Sequence, residues 1–201
     1  MISTIDKNFL DANAIDDILS KVHMLNDHWR EKFSINFLPY GIYSVEPSVY
    51  RQSVSSYTDI MCNNFSVYHD KIKLKLEEYF NLDINFDTKC HKVGFHIFGP
   101  GPLVYDIENF HCDAFTRFRD YKIHSIIIPL TDVDCGLMYK TDNKIEYFNY
   151  EPGTMYCWRG DLVHAIKPFS LDKDEYRITM QMHLAIKHPK HILQKSNTLF
   201  W

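Results

Sequence analysis

The chain has 201 residues, 45% of them hydrophobic and 24% charged, with a formal net charge of −4. That length and balance fit one folded domain with a sizeable apolar core and argue against a disordered chain. An acidic balance is not what a large duplex-binding surface uses, so nucleic acid is not an expected partner.

Residues 1–6 carry neither a basic start nor an apolar run, so no export signal is expected there. Residues 11–33 read as a helix, because Ile15, Ile18, Leu19, Val22, Leu25, Trp29 and Phe33 recur at three- and four-residue steps. A second helical stripe runs from about 56 to 80 through Tyr57, Ile60, Met61, Phe65, Tyr68, Ile72, Leu76 and Tyr79. The turn-prone Asn81-Leu82-Asp83 closes it. No stretch approaches the roughly 20 apolar residues of a membrane span.

After about residue 89 the texture changes to short β-branched and aromatic runs between turns, in keeping with an aromatic share of 15%. Val93–Phe98 is one such run, and Gly99-Pro100-Gly101-Pro102 reads as a hard break after it. Ile123–Leu130 reads as a buried strand. Leu137–Lys140 and Ile145–Phe148 flank Thr141–Lys144 as a hairpin. Thr154–Trp158 follows the Glu151-Pro152-Gly153 turn, Leu162–Ile166 follows Arg159-Gly160-Asp161, and Tyr176–Ile186 is a long last strand. Two helices before roughly eight strands predict a mainly β fold with flanking N-terminal helices, the helices covering one outer face of a sheet. We expect one domain over 1–201. Its parts would be a helical region (1–85), a β core (86–187) and a solvated basic tail (188–201). Five scattered cysteines without a Cys-x-x-Cys pair suggest free thiols in a reducing cytoplasm and no zinc knuckle.

Against that background, His111-Cys112-Asp113, His164 and Arg177-Ile178-Thr179 form an ordered set. With 11 His and 18 Asp in the chain, about one His-x-Asp arises by chance, so the tripeptide alone says little. Its context says more. It lies between polar turns at a strand end, where side chains two apart share a face. Two imidazoles and a carboxylate can hold iron(II) on one face and leave the other open. Zinc would accept the same three ligands. Arg177 on an apolar strand needs an anion if buried, and its guanidinium forks onto a carboxylate. Thr179, two residues on, offers a hydroxyl to the same face.

In this order the residues resemble the iron(II)/2-oxoglutarate-dependent oxygenase superfamily over about residues 91–187. The family pattern is His-x-Asp/Glu, a distal His, then Arg or Lys before a small hydroxyl residue. The resemblance implies a double-stranded β-helix, or jelly roll of cupin type. It implies Fe(2+) on His111, Asp113 and His164, with 2-oxoglutarate and O2 as co-substrates. It places Arg177 and Thr179 on the distal carboxylate of 2-oxoglutarate, with Tyr105 as a further co-substrate contact. The implied activity is hydroxylation of a small metabolite, amino acid or peptidyl side chain, with release of succinate and CO2. Asp113 favours hydroxylation over halogenation, which needs that coordination position for halide. His96, His124 and His183 are read as structural, Arg117 and Arg119 as a solvated loop, and Cys112 as facing away from the metal. Lys167–Asp174 reads as an insert between His164 and Arg177. The alternative is a cupin-type metal protein that makes no use of 2-oxoglutarate.

Overall fold

The computed structural model describes residues 1–33, 43–44, 67–68, 70–81, 94–98, 101–103, 110–113, 121–133, 136–142 and 144–187. Helix α1 spans Ala12–Phe33. Asp11 starts it, its carboxylate accepting the Ala14 amide at 2.8 Å, so the helix begins one residue after the predicted position. Helix α2 covers 70–80, within the 56–80 stripe whose earlier half is mostly outside the described residues. Asn81, at φ 50°, ends it in a left-handed cap.

Among the described residues eleven strands follow or precede these helices: β1 (Ser3–Asp6), β2 (Tyr43–Ser44), β3 (Gly94–Phe98), β4 (Gly101–Leu103), β5 (Tyr121–Pro129), β6 (Gly136–Thr141), β7 (Lys144–Asn149), β8 (Met155–Arg159), β9 (His164–Ile166), β10 (Phe169–Leu171) and β11 (Arg177–Lys187). The large antiparallel sheet has the order β1-β8-β5-β11-β3-β2. Two small sheets, β7-β6-β9 and β10-β4, complete the strands. Fold class agrees with expectation: a mainly β architecture of antiparallel sheets with N-terminal helices.

Three local expectations need correction. Residues 3–6 form an edge strand on β8, although little in their composition marks it. The Gly-Pro break contains β4, and the supposed insert after His164 contains β10; the two pair Phe169 with Leu103 through Leu171 with Gly101. Three-residue strands give no readable period, and Pro102 can sit there because the pair is an isolated ribbon. The predicted hairpin is present, with Asp142 at φ 36° in its two-residue connection.

The period of two along β5, β8 and β11 divides the core in two. Ile126, Ile128 and Leu130, Met155 and Cys157, and Ile178, Met180, Met182 and Leu184 bury against Phe9, Leu10, Ile18, Val22, Ile72 and Leu76 on the helical side. The opposite face sends Ile127, Tyr156 and Trp158 towards Leu137 of the small sheet and Tyr150. The helices therefore cover the outer face of the large sheet, as expected, and the inner face looks into the barrel. Gly153 fastens the layers. Its φ of +75° suits glycine, its amide donates to the Pro129 carbonyl at 2.9 Å, and its carbonyl accepts from Leu10 at 3.0 Å. A Cβ there would meet the Leu10 oxygen at 2.4 Å.

Candidate metal centre

A backbone pairing builds the site. His111 and His164 exchange both amide–carbonyl hydrogen bonds at 2.9 Å, an antiparallel bridge between a loop and the start of β9. That pairing sets the two imidazoles side by side, with ring centroids 4.6 Å apart. Asp113, two residues after His111, points its carboxylate between them. Its Oδ1 lies 3.7 Å from His111 Nε2 and its Oδ2 lies 3.5 Å from His164 Nε2.

Those separations are too long for hydrogen bonds. They suit ligands of a shared ion: bonds of about 2.1 Å at right angles put ligand atoms about 3 Å apart. The candidate ligand atoms of His111, Asp113 and His164 all lie within 4.8 Å of one another, and these three are the group among the described residues able to hold a metal.

Each ligand is prepared differently. His164 Nδ1 sits 2.9 Å from the Leu162 carbonyl and donates to it, which leaves Nε2 with its lone pair on the Asp113 side. Burial lowers the His164 pKa, against the opposing pull of Asp113 and the Leu162 carbonyl, and so favours the neutral ring that a metal requires. The edge of Trp158 packs on that ring at a centroid distance of 5.3 Å. Asp113 is 8% exposed, whereas the side chain of His111 is 56% exposed, so the cluster sits at an opening to solvent. Cys112 turns away, its thiol meeting the Asp161 carbonyl at 3.4 Å.

Arg177 and Thr179 lie on the inner face of β11, 1% and 0% exposed. The guanidinium stands 5.9 Å from the Tyr150 ring and 5.6 Å from the Phe169 ring, so β10 supplies one aromatic wall of its surroundings. Thr179 Oγ1 and Trp158 Nε1 are buried polar atoms with no hydrogen-bond partner among the described residues. A buried cation with a neighbouring uncommitted hydroxyl fits a carboxylate-bearing ligand.

Tyr105, Arg117 and Arg119 lie outside the described residues, and so does the side chain of His96. His124 faces the helices, beside Phe80 at 4.7 Å and Cys157 Sγ at 3.9 Å, and burial lowers its pKa to about 4. His183 differs. It faces inward, 3.3 Å from the hydroxyl of Ser125, and that hydroxyl donates to Asp113 Oδ2 at 2.5 Å. In the sequence, Ser125 is one residue of the apolar run Ile123–Leu130. The one sequence signal for it is a small hydroxyl residue at the start of Ile126–Ile128; the pairing of β5 with β11 puts it on the face of Arg177 and Thr179.

The sequence matches no protein-family model and no curated protein. Solved structures do match. A prolyl-4-hydroxylase from Pseudomonas putida aligns at 15% identity and a TM-score of 0.54, over 94% of this chain and 93% of that one. AviO1 from Streptomyces viridochromogenes Tue57 aligns at 11% identity and 0.53, over 94% and 91%. SnoN, a non-haem α-ketoglutarate-dependent epimerase from nogalamycin biosynthesis, aligns at 13% identity and 0.53, over 98% and 85%. At these identities the likeness is one of fold: this chain shares the double-stranded β-helix architecture of these three proteins. It also carries a two-histidine, one-carboxylate group at the barrel mouth.

Proposed function

We propose that the protein is an Fe(II)/2-oxoglutarate-dependent oxygenase that hydroxylates an unactivated C–H bond of a small metabolite, amino acid or peptidyl side chain. One observation carries the reading. His111, Asp113 and His164 converge at the mouth of the same barrel whose inner wall buries Arg177 beside Thr179.

The donor set fits iron(II): two imidazoles, one of them favoured in its neutral form by burial, and one carboxylate. Iron, held by these three residues, would supply the oxidation in which a substrate C–H, O2 and 2-oxoglutarate give the alcohol, succinate and CO2. The protein's own part is placement. Arg177 forks onto the distal carboxylate of 2-oxoglutarate, and the Thr179 hydroxyl donates a further bond. Tyr105 is assigned to the same co-substrate. The rings of Tyr150 and Phe169 keep water from the guanidinium and strengthen its hold on the anion. The exposed side of His111 marks where the prime substrate approaches. A cytoplasmic setting and a small-molecule or peptide substrate belong to this reading. No helix among the described residues is long and apolar enough to cross a membrane.

Succinate release in the presence of Fe(II), 2-oxoglutarate and O2 tests it, across a panel of amino acids, peptides and nucleotides. Substrate-dependent succinate from the native protein, absent in His111→Ala, is the expected result. Equal background from both proteins across the panel would overturn the reading. A protein that takes up metal and behaves identically after Arg177→Met would be a cupin-type metal protein instead.

A further inference from the structure

Beneath the candidate metal group runs a chain of polar side chains on the inner face of the large sheet. Ser125 Oγ is 2.5 Å from Asp113 Oδ2 and 3.3 Å from His183 Nδ1, and His183 Nε2 is 3.2 Å from Gln181 Nε2. β5 and β11 pair Ser125 directly with His183, and Gln181 follows two residues along on the same face. Ser125 is fully buried.

Donor and acceptor counting gives this chain one direction. An ionised carboxylate only accepts, so the single hydroxyl proton of Ser125 goes to Asp113. Ser125 then has only lone pairs to offer His183, so His183 Nδ1 must carry a proton and donate it. In the neutral ring, Nε2 is then an acceptor, and the amide nitrogen of Gln181 is the donor that faces it. Each link fixes the next: amide to imidazole, imidazole to hydroxyl, hydroxyl to carboxylate.

We infer that Gln181, His183 and Ser125 are positioning residues for the Asp113 carboxylate, fixing its rotation and engaging one of its oxygens before a divalent metal arrives. The inference rests on the metal reading proposed above and deepens it. His183, on this account, is part of the metal centre one hydroxyl removed, not a core histidine. Asp113 needs such support because it follows His111 in a loop rather than in a strand. Groups that orient a ligating carboxylate typically contribute 10–100-fold in metal affinity.

Co(II) binding, followed by its visible absorption under anaerobic conditions, tests this without turnover. Ser125→Ala should weaken Co(II) binding about 10–100-fold. Ser125→Thr, which keeps the hydroxyl, should stay within a few-fold of native. His183→Asn keeps a donor near the Nδ1 position and should bind better than His183→Leu. Because a variant can fail to fold, the unsubstituted protein supplies a second readout. Nitrogen-15 NMR should find the metal-free His183 ring protonated on Nδ1, not on Nε2. Native-like Co(II) affinity in Ser125→Ala, or a ring carrying its single proton on Nε2, would overturn the inference alone. Absence of Co(II) uptake by the native protein would overturn it together with the metal reading.

Discussion

The two faces of the large sheet come from the same strands and have opposite characters. Along β11, Ile178, Met180, Met182 and Leu184 enter the helix-covered layer, while Arg177, Thr179, Gln181 and His183 alternate with them towards the barrel. β5 repeats the division, with Ile126 and Ile128 outward and Ser125 and Ile127 inward. The outer face is hydrocarbon matched to hydrocarbon, and its contribution is stability. The inner face buries a guanidinium and two hydroxyls and half-buries an imidazole, which only specific partners make tolerable. A strand can thus anchor the fold and build a site at once, because neighbouring residues never share a face.

Substitutions can break this division from either side. The largest effect is expected at the ligands. Asp113→Ala leaves two imidazoles and should lower Co(II) affinity by more than the roughly 10–100-fold of a lost supporting hydrogen bond, measured by titration. The melting temperature of the metal-free protein should change little. Met180→Ala lies between two inner-face residues and should do the reverse. It should cost about 2–5 kcal/mol in urea unfolding, with Co(II) affinity unaltered. If Met180→Ala instead abolished metal binding in folded protein, the two faces would not be independent.

Arg177→Met keeps the volume and removes the fork. It should raise the 2-oxoglutarate concentration needed for succinate release by about 10–100-fold, in line with a lost charge-assisted pair, and leave metal uptake intact. The last prediction concerns pH. His124, on the outer face, has its pKa lowered from 6.5 to about 4 by burial. The unfolded chain therefore binds a proton that the folded one refuses as pH falls below about 6.5, and stability declines until about pH 4. His124→Gln should flatten the fall in urea midpoint between pH 7 and pH 4.5. Parallel falls in both proteins would show that His124 has no part in it.

Much of this was legible without coordinates. Alternation in Arg177–Ile186 separates the two faces, and the ordered set His111, Asp113 and His164 picks out three side chains that the structure brings together. The Asn81 turn and the hairpin around Asp142 follow from local chemistry. What escaped depends on register between strands. Ser125 looks like a polar interruption of an apolar run, and its meaning appears only when β5 is laid beside β11 and His183 falls opposite it. The same holds for Phe169, whose strand of three residues is too short to show a period but forms the wall behind Arg177.

The most direct test of the account is anaerobic addition of Fe(II) and then 2-oxoglutarate to the intact protein. The account predicts a visible charge-transfer band that needs both additions, disappears in His164→Ala, and in Arg177→Met forms only at higher 2-oxoglutarate. A native protein that takes up Fe(II) and 2-oxoglutarate with no such band would contradict it.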